Sequence, residues 1–112
     1  MHELGITRNI VGIVSDAARG RRVTRVTLEI GALAGVMPEA IAFCFETVAQ
    51  GSAIEGAKLE IVEIPGRARC RTCGLEYPMP TLYAACPCGS RSTERLSGEE
   101  LNVKSMQLEE AA

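Results

Sequence analysis

Four of the five cysteines of this chain lie in one short stretch of the sequence. They form two close pairs, Cys70-x2-Cys73 and Cys86-x-Cys88. Two such pairs, joined by a short segment, can close four thiolates around one tetrahedral zinc ion. A segment this short has little apolar core of its own, so a bound metal would supply most of its folding energy. The spacing therefore predicts a small structural zinc module within a larger domain.

The second pair departs from the usual spacing of a zinc ribbon. Most ribbons use C-x2-C twice, whereas only Pro87 separates Cys86 from Cys88. A C-x-C pair can still place both sulfurs on one ion, with a tighter bite. The alternatives are two disulfides or a dithiol redox protein that uses Cys70 and Cys73. Nothing in the sequence indicates an oxidising compartment, which favours metal.

Length and composition indicate one small domain with an aliphatic core. The chain has 112 residues, of which 46% are hydrophobic and only 4% aromatic. The formal net charge of −2 argues against a chain that binds polyanions over its whole surface. The window 66–95 is locally basic, which keeps a zinc-ribbon module that binds nucleic acid or protein as an alternative function. Its basic residues are Arg67, Arg69, Arg71, Arg91 and Arg95.

The sequence carries no recognisable targeting or membrane-spanning signal. It begins MHELGITRN, with an acidic residue at position 3 and no basic region before a long apolar run. No stretch approaches the roughly 18 apolar residues that a spanning helix needs. We therefore expect a cytoplasmic protein with reduced thiols and no membrane partner, in which clustered cysteines usually bind metal.

Hydrophobic periodicity predicts an α+β fold. Residues 3–19 and 38–50 read as amphipathic helices, and 23–31, 57–64 and 101–108 as strands. The first helix is expected to bury a face formed by Ile6, Ile10, Ile13, Val14 and Ala17 and widened by Leu4, Val11 and Ala18. We expect a three-stranded sheet with two helices and an inserted zinc-ribbon-like module. The α/β domain would comprise 1–66 and 99–112, and the zinc-binding domain 67–98.

The only histidine of the chain, His2, sits where the N-terminus can become a metal chelate. The free amine of Met1, the backbone amide nitrogen of His2 and its imidazole can lie in one plane around a metal ion. Ni(II) and Cu(II) favour such a planar nitrogen set. A histidine near an exposed terminus is more often an ordinary solvated side chain, and the residues alone leave both interpretations open. Cys44 is expected to be a buried free thiol.

Several segments together resemble the hydrogenase nickel-incorporation proteins of the HypA/HybF family. They are the initial MHE, VTLEIGALAGVMPEAIAFCFETVAQGS, EGAKLEI, the Cys70–Cys73 pair with its following glycine, CPCGS, and SGEELNVKSMQLEE. The resemblance covers nearly the full length. One departure is the second cysteine pair, which the family usually spaces as C-x2-C.

The resemblance implies a nickel metallochaperone that is not an enzyme. It implies Ni(II) as transferred cargo on Met1, His2 and Glu3, and structural Zn(II) on the four clustered cysteines. It further implies delivery, with a nickel-handling GTPase accessory protein, to the large subunit of [NiFe] hydrogenase, and in some organisms to urease. No nucleic-acid partner is expected, and the chain would be a monomer or weak homodimer.

Overall fold

The structure is a computed structural model that describes residues 2–110. Two helices and six strands follow one another along the chain. They are α1 (Glu3–Ala18), β1 (Val23–Gly31), α2 (Pro38–Ala49), β2 (Lys58–Ile64), β3 (Arg67–Cys70), β4 (Glu76–Pro78), β5 (Thr93–Ser97) and β6 (Leu101–Leu108).

The predicted α+β class is confirmed. Both predicted helices and all three predicted strands are present, and β2, β1 and β6 form one three-stranded sheet in that order. A second three-stranded sheet, in the order β4-β3-β5, carries the cysteine segment. No described helix is long and apolar enough to cross a membrane.

Helix α1 buries a face rotated from the one predicted. Its buried residues are Thr7, Ile10, Val11, Val14 and Ala18. Ile13, expected inside, is 60% exposed, and Ala17 is exposed as well. Thr7 can be buried because its hydroxyl donates a hydrogen bond to the backbone oxygen of Glu3, at 2.7 Å. The hydrophobic pattern predicted the wrong face because it does not count Thr7, which can be buried once its hydroxyl is hydrogen-bonded.

Helix α2 begins as predicted at a proline. Met37 is its N-cap and Pro38 occupies the first turn, where a missing N–H costs nothing. Ile41, Phe45 and Ala49 are its buried residues, and α2 packs against α1. Cys44 is half-buried rather than buried, because it lies at the edge of that face.

The described chain divides into two compact units. The first comprises residues 2–29, 36–62 and 102–110, and the second comprises 30–35 and 63–101. The first contains both helices, and its buried residues are mainly aliphatic side chains of α1, β1 and α2. The second contains all four clustered cysteines. The domain boundaries given by the sequence, 1–66 with 99–112 and 67–98, stay a prediction.

The second unit has a small core in which the cysteines take part. Leu33, Ala68, Cys70, Tyr77, Met79 and Cys86 are buried together. The backbone N–H of Leu33 donates to the oxygen of Gly98 at 2.7 Å, which ties the 30–35 segment to this unit. A Cβ on Gly66 would lie 2.1 Å from the Met79 oxygen, so only glycine lets the chain pass there. The backbone at Gly66 and that at Met79 therefore approach too closely for a side chain at position 66.

Candidate metal centres

The four clustered sulfurs lie close enough together to hold one ion. All four Sγ atoms are within 4.8 Å of one another. The Cys70 and Cys88 sulfurs are 3.7 Å apart, and those of Cys73 and Cys86 are 3.5 Å apart. Four sulfurs about 2.3 Å from a tetrahedral zinc ion would be about 3.8 Å apart. The spacing thus fits a tetrathiolate zinc centre, and all five cysteines of the chain are free thiols.

The first cysteine pair sits on a turn that follows β3. The Gly74 N–H donates to the Cys70 oxygen at 2.9 Å, and Gly74 has φ +79°. Within the turn, the Cys73 N–H points at the Cys70 sulfur, 3.4 Å away. Backbone donors aimed at sulfur favour the thiolate, which is the form that binds a metal.

The second pair uses a turn one residue shorter. The Gly89 N–H donates to the Cys86 oxygen at 2.7 Å, and Gly89 has φ +91°. The Cys86 N–H in turn donates to the Ser90 oxygen at 3.0 Å. A tighter hydrogen-bonded turn thus compensates for the shorter spacing, and the Cys88 sulfur still lies within 4.8 Å of the other three.

The segments that carry the two turns are joined by one side-chain contact and one backbone hydrogen bond. The hydroxyls of Thr72 and Ser90 are 2.8 Å apart, within hydrogen-bond distance. The Arg71 N–H donates to the Ser92 oxygen at 2.9 Å. These contacts bring the segments that carry the two cysteine pairs together. Sequence inspection did not identify this hydroxyl pair, because isolated Ser and Thr residues in a loop carry no periodic signal.

The pKa values of the two buried thiols of the cluster, Cys70 and Cys86, are shifted in opposite directions. The backbone N–H of Cys73 lowers the pKa of Cys70 to about 6. The backbone N–H of Cys88 acts in the same direction on Cys86, but burial and the neighbouring sulfurs outweigh it and raise that pKa to about 12. Four negative sulfurs cannot share this space uncompensated. A divalent cation would offset the repulsion between the thiolates, so the donor set fits zinc.

Two of the residues implied at the N-terminus, His2 and Glu3, lie at the start of α1. His2 is exposed and forms the N-cap of the helix, its backbone oxygen accepting from the Ile6 N–H at 3.1 Å. One Glu3 carboxylate oxygen, Oε2, accepts from the Met37 N–H at 3.3 Å. The Glu3 backbone N–H, followed by that of Met37, lowers the pKa of this carboxyl. Met1, the third residue of the implied nickel site, lies outside the described residues.

Glu3 therefore has a structural role that the sequence did not indicate. Its carboxylate caps the start of α2 and connects the first turns of two helices. A long-range contact of this kind, across residues 3 and 37, leaves no local pattern in the sequence.

The fold and the four-sulfur centre define a small α+β protein that carries a zinc-ribbon-like metal-binding module. The sequence model of one family, described as hydrogenase/urease nickel incorporation, metallochaperone, HypA, matches residues 1–108. The chain belongs to this HypA family of nickel metallochaperones for hydrogenase maturation. It is accordingly a maturation factor and not an enzyme, and it works with the hydrogenase maturation machinery.

Full-length relatives support the assignment. A hydrogenase maturation factor HypA of Trichormus variabilis is 53% identical, over 98% of this chain and 97% of the relative. One of Geobacter metallireducens is 48% identical, over 97% of this chain and 100% of the relative. The solution structure of the Ni metallochaperone HypA from Helicobacter pylori shares the fold. It has a TM-score of 0.69 at 22% identity and covers 96% of this chain and 97% of its own.

Proposed function

We propose that this chain binds Ni(II) through Met1, His2 and Glu3 and keeps Zn(II) as a structural ion on Cys70, Cys73, Cys86 and Cys88. It would receive and release nickel in the cytoplasm, with a nickel-handling GTPase as its partner. The recipient is the large subunit of [NiFe] hydrogenase, and urease in cells that produce one. The observation that carries the proposal is the separation of two donor sets with different chemistry within one small chain.

The N-terminal donors suit a metal that must be handed on. The amine of Met1, the amide nitrogen of His2 and its imidazole offer Ni(II) a planar set of nitrogens. His2 is exposed at the helix start, so the chelate could form there without burying the ion. An exposed planar complex leaves a coordination position open to an incoming ligand, which release to a partner requires.

The position of Glu3 suggests that it holds this site in place. Its Oε2 atom accepts from the Met37 N–H at 3.3 Å. A carboxylate has two oxygens, so the other oxygen could still complete the nickel coordination. We therefore expect Glu3→Gln to weaken nickel binding less than His2→Ala.

The cysteine donors suit a metal that stays. Four soft thiolates in a closed tetrahedral set favour zinc and leave no open position for a substrate. The centre lies in the small core of the second unit, where Cys70 and Cys86 are buried. Its role is therefore to stabilise that unit.

Nickel titration of N-terminal variants tests the nickel assignment. The wild-type protein with its native terminus should bind Ni(II) with the absorption of a planar nitrogen complex. His2→Ala should lose this binding, and one residue added before Met1 should do nearly as much damage because it converts the amine to an amide. Asn9→Ala, on the exposed side of α1, is the matched control and should bind normally. Unchanged nickel affinity in both His2→Ala and the extended protein would refute the assignment.

Delivery is tested in hydrogenase-producing cells. The chain should be recovered in a complex with the GTPase, with the contact including α1 because this helix begins at the nickel donors. His2→Ala should still form the complex but leave the hydrogenase large subunit without nickel. A wild-type chain that never associates with the GTPase would contradict the partner assignment and leave the nickel titration unaffected.

A further inference from the structure

The basic window of the cysteine module is only partly neutralised by acidic side chains. Arg69 lies between Glu76, at 3.4 Å, and Glu94, at 3.5 Å. Arg95 pairs with Glu99 at 3.0 Å. Among residues 2–110, Arg71 and Arg91 form no ion pair with a carboxylate. Arg67, which also lacks an ion pair with a carboxylate among these residues, lies outside the depression described next.

These two arginines line the same open depression on the second unit. The depression has a volume of about 460 Å³, and its charged lining is Arg71, Arg91, Arg95, Glu94 and Glu99. Both of its carboxylates are already engaged, Glu94 by Arg69 and Glu99 by Arg95. An anion that enters the depression therefore meets two unpaired guanidinium groups.

The backbone around the depression is fixed by the cysteine turns. Arg71 lies between Cys70 and Cys73, and Arg91 follows the Cys86–Cys88 turn directly. The guanidinium of Arg71 donates to the Thr93 oxygen at 2.5 Å, which orients it along the rim. Placing two like charges at one depression is unfavourable unless an anion joins them. The cysteine turns thus place two guanidinium groups at one depression.

The anion is better matched by a protein segment than by a nucleic acid. A nucleic acid needs a continuous basic track and aromatic side chains for stacking. Here Glu76, Glu94 and Glu99 interrupt the track. Tyr77 is only 3% exposed, and Tyr83, although 80% exposed, does not line the depression. Guanidinium groups bind carboxylates in a bidentate manner, and an open depression suits an extended chain.

We propose that the depression at Arg71 and Arg91 binds carboxylates of an acidic segment on a partner protein. This is a docking site separate from the N-terminal nickel donors, and it operates with or without nickel. It uses the two arginines of the depression that no carboxylate neutralises.

Anisotropy of a labelled peptide with alternating Glu and Gly, titrated with the zinc-loaded full-length protein, tests the proposal. The peptide should bind, its Gln-Gly counterpart should not, and added salt should weaken binding. Arg91→Gln should weaken it about two- to fivefold, the range for an exposed ion pair. The Arg91 side chain makes no hydrogen bond within residues 2–110, so zinc content should be unchanged. Adding Arg71→Gln should weaken binding further.

Arg67→Gln is the matched control. Arg67 is exposed on β3, carries the same charge and lies outside the depression. An equal loss in Arg67→Gln and Arg91→Gln would show a net-charge effect and overturn the site. Tighter binding of a single-stranded oligonucleotide, lost in Arg91→Gln, would replace the acidic segment by nucleic acid. Displacement of the peptide by an equal concentration of inorganic phosphate would reduce the site to one for small anions.

Discussion

At the scale of single residues, contacts between segments that are distant in the sequence depend on particular residues in each unit. Glu3 reaches from the start of α1 to the N-cap of α2, and Gly66 lets two chain segments cross in the cysteine unit. Neither residue belongs to an apolar pattern. Each is required by a contact with a residue far away in the sequence, Met37 for Glu3 and Met79 for Gly66.

Replacement of Glu3 should change how stability depends on pH. The pKa of the Glu3 carboxyl is lowered in the folded protein from its ordinary value of 4.5, first by its own N–H and then by that of Met37. Its contribution to stability is therefore present above pH 4.5 and is lost as the pH falls through the lower folded value. Glu3→Gln should remove this part of the acid sensitivity.

Thermal melts across the acidic range measure the effect. Glu39→Gln is the control, because Glu39 is exposed in the first turn of α2 and makes no side-chain hydrogen bond within residues 2–110. Parallel melting curves for Glu3→Gln and wild type at every pH would contradict the capping role.

Gly66→Ala should destabilise the cysteine unit. Its Cβ would lie 2.1 Å from the Met79 oxygen and 3.0 Å from the Leu33 side chain. Relieving such an overlap costs about 1–3 kcal/mol or more. Gly12→Ala, at an exposed position in α1 with nothing within 4 Å, should instead stabilise by about 0.5–1 kcal/mol. Denaturant unfolding of zinc-loaded protein compares them, and equal free energies of unfolding would refute the crowding at Gly66.

At the scale of elements, the sequence predicts those whose signal is local. Strand β1 and the start of α2 follow from alternation and from Pro38, and both are observed. The buried face of α1 was misplaced because Thr7 is satisfied by a backbone oxygen, which no hydropathy pattern records. The four-cysteine cluster follows from spacing alone.

The second sheet could not be predicted with the same methods. Its strands β3, β4 and β5 have only three to five residues each, too few for a periodic signal. The burial of Leu33 was also not predicted, because this residue lies between β1 and α2 and belongs to no periodic apolar pattern. Both features depend on backbone contacts between segments that are far apart in the chain, β3 with β5 and Leu33 with Gly98.

Removal of zinc should therefore loosen the second unit and leave the first folded. The second unit has a core of six buried residues, two of which are cysteines of the cluster. The first has its own aliphatic core around α1, β1 and α2. Amide hydrogen exchange with and without a chelator should show lost protection in β3, β4 and β5 and retained protection in α1 and α2. Equal loss in both units would contradict separate cores.

At the scale of the whole molecule, the proposed function gives two donor sets two different metals. In the proposed function, nitrogen donors of Met1 and His2 exchange their metal, while four thiolates, two of them buried and two exposed, retain theirs. A third feature, the cationic depression at Arg71 and Arg91, gives the zinc unit a surface for docking. Each function is placed on a different part of a small chain, so each can be removed separately.

Native mass spectrometry of the intact protein with zinc and nickel tests this division most directly. Wild-type protein should carry one zinc and one nickel ion. His2→Ala should carry zinc without nickel, and Cys88→Ala should carry nickel without zinc, because the first change removes only the nitrogen chelate and the second only the tetrathiolate. Nickel retained by His2→Ala, or lost from Cys88→Ala together with zinc, would contradict the account and assign nickel to the cysteine centre.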